Sequence, residues 1–402
     1  MAGYRDLLRT PGVARMIAAQ LVARFPNGMT SLGILLHVEQ QTGSYGAAGL
    51  VLAAASVGQA AAGPVTSRWM GAWGMRRVLT LTLTVCVAAV LCLALLPLTL
   101  PGYMAFALLA GLSTPPVQAA VRTIYPKLVN SSQLTPLFSL DASLQEIIWI
   151  IAPVVITVVS TQVGTTQGLL LVAAIMVGGG IWFISAPELG RVRIPRSRRA
   201  FGRVVLKPPV MLATILGFLL IGACSAVEVG VVATFGHGGL EAGLVLAVFS
   251  IGSLAGGLTF GHIPIGPWAM ARRMLIVTVG LGLTMVSLNI FWIGGTLLLA
   301  GIGVAPALAV LFAITTASVK FSETAEAFGW AGTGQLIGAA AGSAVAGILI
   351  DLGGPTGAYA AAALFAGAGF LVAVACVKAF PDLRHRDPSP LPDTEAVPVT
   401  PA

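Results

Sequence analysis

Four ionisable residues stand inside long apolar segments of this 402-residue chain: Arg24, Asp141, Glu146 and Glu228. A charge near the middle of a membrane-spanning helix costs about 2.5–3.5 kcal/mol on insertion scales, so each needs a partner, a wet cavity or a task. Carboxylates in such places can carry protons, and an arginine can hold a carboxylate or an anion. Arg24 falls on a polar stripe with Gln20, Asn27 and Ser31, whose spacings of four, three and four put them on one helical face. Pro26 cannot donate to the Val22 carbonyl, which predicts a kink beside Arg24. Ser139, Ser143, Glu146 and Pro153 share one broad face of a later segment, with Glu146 at a depth like that of Arg24. We therefore expect an Arg24–Glu146 ion pair, against the alternative of an arginine that only ties helices together. Asp141 falls nearer its helix start, where we expect some water. Glu228, one turn after Cys224, has no basic residue at its level in the second half of the chain. Glu228, Glu146 and Asp141 are the candidate proton carriers. Ser56, Gln59, Gln118 and Gln335 are further polar positions that can line a cavity with Gln20, Arg24 and Asn27, and Trp149 can stack on a cargo. Tryptophans in such segments more often pack or anchor at the interface.

The segments that position these residues are set by composition. Hydrophobic residues make up 57% of the chain and charged residues 9%, against about 25% charged in ordinary soluble domains. The bilayer must supply the missing apolar solvent, so the chain is a polytopic membrane protein. Its apolar runs do not alternate with polar residues, so the spans are helices and not barrel strands. The net charge of +8 sits in short clusters between apolar runs, which is membrane topology and not nucleic-acid binding. The four cysteines and four histidines have no metal-ligand spacing, and no phosphate-binding loop or ATP-sized soluble domain is present. The expectation is no enzyme and no cofactor.

Twelve spans can be drawn, with turns expected at 41–44, 101–102, 164–166, 237–239, 294–295 and 353–355. Residues 1–186 and 209–380 each hold six. Between them, 187–208 form a linker with seven basic residues and one acid, and 381–402 form a Pro-rich tail expected to be disordered. Every basic residue except Arg24 falls in the linker, the termini or the alternate loops and helix ends. By the positive-inside rule those segments, Arg122 and Lys127 among them, and both termini are expected to be cytoplasmic in a plasma-membrane protein.

The halves repeat. Gly58 and Gly63 recur as Gly252 and Gly257, Arg76-Arg77 as Arg272-Arg273, and Gln145 as Gln335. A duplicated six-helix unit with a site between its copies is a transporter architecture. The loop after the second span, from Gly63-Pro64 through Arg68, Gly71-Ala72 and Gly74 to Arg76-Arg77, resembles the gating-loop motif of the major facilitator superfamily. Gly71 and Ala72 stand where that motif has an Asp-Arg pair. The resemblance implies an all-α fold of two six-helix bundles, with Gly63, Arg68, Gly74, Arg76 and Arg77 as the gating loop. Ala152-Pro153 stands where antiporters of the family carry Gly-Pro. The stretches LLRTPGVARMIAAQLVARFP, TGSYGAAGL, LQEIIWIIAPVV and AVEVGVVA are similar to actinobacterial multidrug-type exporters.

The leading expectation is a secondary transporter that exports a small amphipathic or apolar compound against protons, acting as a monomer in the lipid bilayer. The alternatives are nutrient uptake, such as of a sugar, and a non-transporting membrane sensor or assembly factor.

Overall fold

The computed structural model describes residues 4–192, 194–195, 200–235, 241–261, 263–384 and 386–393. Arg193, Arg196, Arg198 and Arg199 of the linker, and the turn expected at 237–239, lie outside the described residues.

The described residues are helical almost throughout, because a chain in lipid must satisfy its backbone internally. Among the described residues, eleven helices are long and apolar enough to cross a bilayer. Span 1 is the twelfth, in two pieces, Val13–Arg24 and Asn27–Thr42, each too short to cross alone. The break is at Pro26, as the missing N–H requires; the Phe25 amide bonds to Val22 O at 3.2 Å and closes a tighter turn. Spans 2 and 3 are Tyr45–Trp73 and Met75–Leu95; span 4 is Leu100–Leu112 and Val117–Leu128, parted by Pro115 and Pro116. Spans 5 and 6 are Ser131–Gln162 and Thr165–Ser185, spans 7 and 8 Pro208–Phe235 and Glu241–Phe260. Spans 9 to 12 are Ala269–Leu283, Ile290–Ala317, Thr324–Gly353 and Thr356–Ala375.

Two expected turns are displaced. Residues 294–295 lie inside span 10; the turn falls at 287–289, where Asn289 caps the helix by accepting from the Phe291 amide at 2.9 Å. A side-chain cap outweighs a glycine pair as a helix start. Likewise Pro101 opens span 4 from within its first turn, a position that suits proline's missing donor.

Glycine decides the closest helix approaches. A Cβ at Gly58 would run into Leu108 O of span 4, and one at Gly252 into Leu298 O of span 10. The repeated pair thus does the same work in each bundle, pressing an even-numbered span against the next.

The two bundles meet along one end, the end that carries the linker. There Ser139 Oγ donates to Gly257 O at 2.7 Å and Thr333 Oγ1 to Ala60 O at 2.8 Å. A side chain at Gly329 would strike Gly63 and Pro64 of span 2. The tail differs from the expected disorder over its described part. Leu391 N donates to Val319 O at 2.9 Å, Phe321 N to Leu391 O at 3.1 Å, and Leu383 N to Ile265 O at 2.9 Å. Those bonds tie Leu383 to the loop before span 9 and Leu391 to the loop before span 11.

Candidate functional site

The most concentrated chemistry is a buried network around Asp141, which is 0% exposed. Its Oδ1 accepts from Gln20 Nε2 and Arg24 Nη1, each at 3.1 Å, and from the Tyr125 hydroxyl at 3.3 Å. Its Oδ2 accepts from Arg122 Nε at 3.0 Å. Arg24 also donates to Gln20 Oε1 at 2.7 Å and to Gln145 Oε1. Gln118, with its amide oxygen turned toward Arg122, accepts from Nη2 at 2.8 Å. One carboxylate thus stands between two guanidiniums, with the carboxamides of Gln20, Gln145 and Gln118 accepting from further donors. A buried charge is tolerable only when so completely bonded.

The second bundle completes the site. The Arg122 guanidinium carbon lies 3.4 Å from the ring centroid of Phe312 in span 10 and 5.9 Å from that of Phe328 in span 11. Phe138 of span 5 packs against both, at 6.2 and 6.3 Å centroid to centroid. The rings offer their negative faces to the network's excess positive charge and exclude water from it.

This arrangement corrects three expectations. Arg24 pairs with Asp141 and not with Glu146. Side chains on a helix lean toward its N-terminus, so Arg24 reaches back toward the linker end, and matching Cα depths misplaced its partner. Asp141 is dry and fully bonded instead of hydrated. Arg122, expected in the cytoplasmic loop region, is 2% exposed inside the bundle. The sequence did carry a signal for it: Gln118, Arg122 and Tyr125 are spaced four and three, the spacing that marks Gln20 and Arg24. Phe312 and Phe328 had no such mark, since a phenylalanine in an apolar run carries none.

Glu146 belongs to a second polar spot, at the seam. It accepts from Ser253 Oγ of span 8 at 2.9 Å, and that hydroxyl in turn accepts from Ala305 N at 3.2 Å. Glu228 of span 7 is exposed and lies close enough to Glu146 to interact with it electrostatically, with Cys224 near both. The seam therefore presents one carboxylate from each bundle. The other candidates are dispersed. Asn27 lines a small groove with Leu83, Pro115 and Met176. Ser56 is exposed and Gln59 half-buried, and neither side chain hydrogen bonds to a described residue. Gln335 packs near Gly217 within the second bundle, and Trp149 is 50% exposed.

The gating-loop residues sit at the sealed end. Arg68 Nη1 contacts Glu326 Oε2, in the first turn of span 11, at 3.1 Å, and its guanidinium lies 5.6 Å from the Phe201 ring. Glu326 Oε1 also accepts from the Gly202 amide at 2.8 Å, and Lys207 Nζ lies 2.6 Å from Glu323 Oε2. Gly71, where the motif's Asp would stand, is covered by Ile194 and Pro195 O of the linker. Gly74, at φ 90°, ends span 2, Arg76 donates to Ala186 O at 3.1 Å, and Arg77 is exposed. An anion on span 11 facing a cation on span 2 thus joins the bundles here.

Twelve helices in two bundles, joined by hydrogen bonds and an ion pair at one end, with charged groups along their seam, define a multi-pass membrane transporter. The chain belongs to the Major Facilitator Superfamily, which it matches over residues 16–298 and 225–401. The crystal structure of the human organic anion transporter MFSD10 (TETRAN) superposes with a TM-score of 0.74 at 14% identity, covering 90% of this chain and 98% of that one. A bacterial homologue of the iron transporter ferroportin in an outward-facing state superposes with a TM-score of 0.73 at 12% identity, over the same shares. No curated protein matches the chain.

Proposed function

We propose that the protein is a proton-coupled secondary transporter that exports a small amphipathic or apolar compound by alternating access. The observation that carries this reading is the pair Glu146 and Glu228. They come from opposite bundles and share the seam above the sealed end, while the arginines are engaged at Asp141. Carboxylates whose surroundings change as the bundles part and close can take up a proton on one side and release it on the other. The sparse carboxamide lining, with Gln59 and Gln335 hydrogen bonded to no described residue and Gln20, Gln118 and Gln145 spent on the network, favours an apolar cargo over a sugar.

The same reading sets the sealed, linker-bearing end in the cytoplasm of a plasma-membrane protein, by the positive-inside rule. On this reading the end closed by the Arg68–Glu326 pair is the cytoplasmic one. The similarity of several stretches to multidrug-type exporters supports outward cargo movement.

The test is a proteoliposome with a pH dye inside. Cargo candidates that trigger a lumenal pH change in the wild type should fail to do so in Glu228→Gln, while that variant still exchanges labelled cargo. An amide keeps the shape of a protonated carboxyl but cannot release a proton. Normal proton movement by Glu228→Gln would remove Glu228 as carrier and pass the role to Glu146.

A further inference from the structure

A second site lies away from the seam, at the linker end of the first bundle. A cavity of about 240 Å³ opens between the start of span 1, the end of span 4 and the short helix Pro187–Arg191. Its lining includes Arg15, Lys127, Arg191 and Glu188. Three cations and one carboxylate leave two positive charges in excess around one small polar space.

The site is built, not a chance meeting of flexible side chains. Glu188 is 4% exposed and accepts from Arg15, which fixes that guanidinium at the cavity edge. Gly12, at φ 87°, brings the chain so close that any side chain there would collide with the Glu188 carboxylate. Burial tends to raise the Glu188 pKa, but the Arg15 hydrogen bond and the charges of Arg15 and Arg191 outweigh it, so the pKa is lowered and the anchor stays ionised. Arg15 spends one of its five N–H donors on this anchor and keeps the others. Arg191 hydrogen bonds to no described residue, and Lys127 is exposed, with the Phe321 ring 4.6 Å from its Nζ.

We propose that this cavity binds a phosphate group, supplied by a lipid headgroup or by a free phosphate compound. Two guanidiniums, that of Arg15 anchored by Glu188, beside an exposed ammonium match the tetrahedral oxygens of a phosphate, and charge-assisted bonds of this type are the strong ones. Glu188 is the positioning residue and Arg15, Lys127 and Arg191 are the contacts. Lys127 also touches Phe321 of the second bundle, so occupancy would bear on whether the linker end is sealed.

The experiment is calorimetric titration of the full-length protein in neutral detergent with short-chain phosphatidylglycerol and, separately, with inorganic phosphate. Saturable binding of one equivalent is expected, weakened roughly tenfold or more in K127Q/R191Q. It should be unchanged in R272Q/K378Q, which removes two exposed charges from the second bundle. Binding of the lipid alone identifies a headgroup, and binding of both identifies a phosphate site open to soluble compounds. R191Q alone removes a side chain that bonds no described residue, so it reads the site if the double variant fails to fold. No saturable binding by either probe, or equal affinity in wild type, K127Q/R191Q and R191Q, would overturn the proposal.

Discussion

The Arg122 guanidinium lies against the face of Phe312, 3.4 Å from its centroid, while its Nε holds Asp141 at 3.0 Å. A charge anchored in the first bundle is thereby capped by a ring of the second. The contact joins the bundles at the sealed linker end. Phe312→Leu keeps an apolar side chain but loses the cation–π attraction, worth about 2 kcal/mol when desolvated. Spin labels at Arg77 and Arg272 should show the linker end opening in a larger fraction of molecules, by roughly an order of magnitude in the equilibrium. An unchanged distance distribution would mean that the ring only fills space.

Asp141 serves two arginines, and that asymmetry predicts an order of damage. Asp141→Asn strands both Arg24 and Arg122 in a dry site, a loss of about 3–5 kcal/mol or more. Arg24→Gln leaves Asp141 paired with Arg122 and should cost clearly less. Thermal unfolding in detergent measures both. Equal losses would show that the two arginines are not alternatives for one carboxylate.

Arg68 and Glu326 join span 2 to span 11 with the cation on span 2. The arginine side chain is 28% exposed, so the pair itself is worth about 1 kcal/mol or less. Arg68→Glu should therefore loosen the sealed end without unfolding the protein, and Arg68→Glu/Glu326→Arg should restore much of it. Thiol accessibility of a cysteine at Thr333, beneath the seal, reports the outcome. A double variant as open as the single one would assign the seal to Phe201, Gly202 and the glycine contact at Gly63.

Glu188 has its pKa lowered by Arg15 and Arg191 against the opposing effect of burial. A depressed carboxylate pKa adds stability that is complete above the unfolded value of about 4.3 and fades as pH falls through the folded one. Glu188→Gln should flatten the acid limb of the stability profile and leave its shape above pH 6 unchanged. An acid limb identical to that of the wild type would place the acid sensitivity elsewhere.

Orientation is tested by labelling in intact cells, in a background without Cys86, Cys92, Cys224 and Cys376. A cysteine at Ser44 should react with an impermeant thiol reagent, and one at Ser197 should not. The reverse pattern would invert the proposed topology.

Much of the fold follows from the residues alone, because lipid imposes a local rule. About 20 apolar residues must be helical wherever they occur, and a proline such as Pro26 must break the ladder it cannot join. The repeated glycines Gly58 and Gly252 were visible for the same reason, since a missing side chain is a local fact with a local consequence. Charge clusters at Arg76-Arg77 and in the linker likewise mark one side by composition. The partners of the buried charges were not local facts. Arg24, Asp141 and Arg122 come from three spans, and which meets which depends on helix tilt, side-chain lean and the break before Val117. Equal depth in the chain favoured Glu146, and packing gave Arg24 to Asp141 and Glu146 to Ser253. The seal is further still from the sequence: Phe312 carries no mark in its apolar run, and Glu326 is not among the candidate residues. Only the docking of two bundles turns the first into a cap for Arg122 and the second into the partner of Arg68.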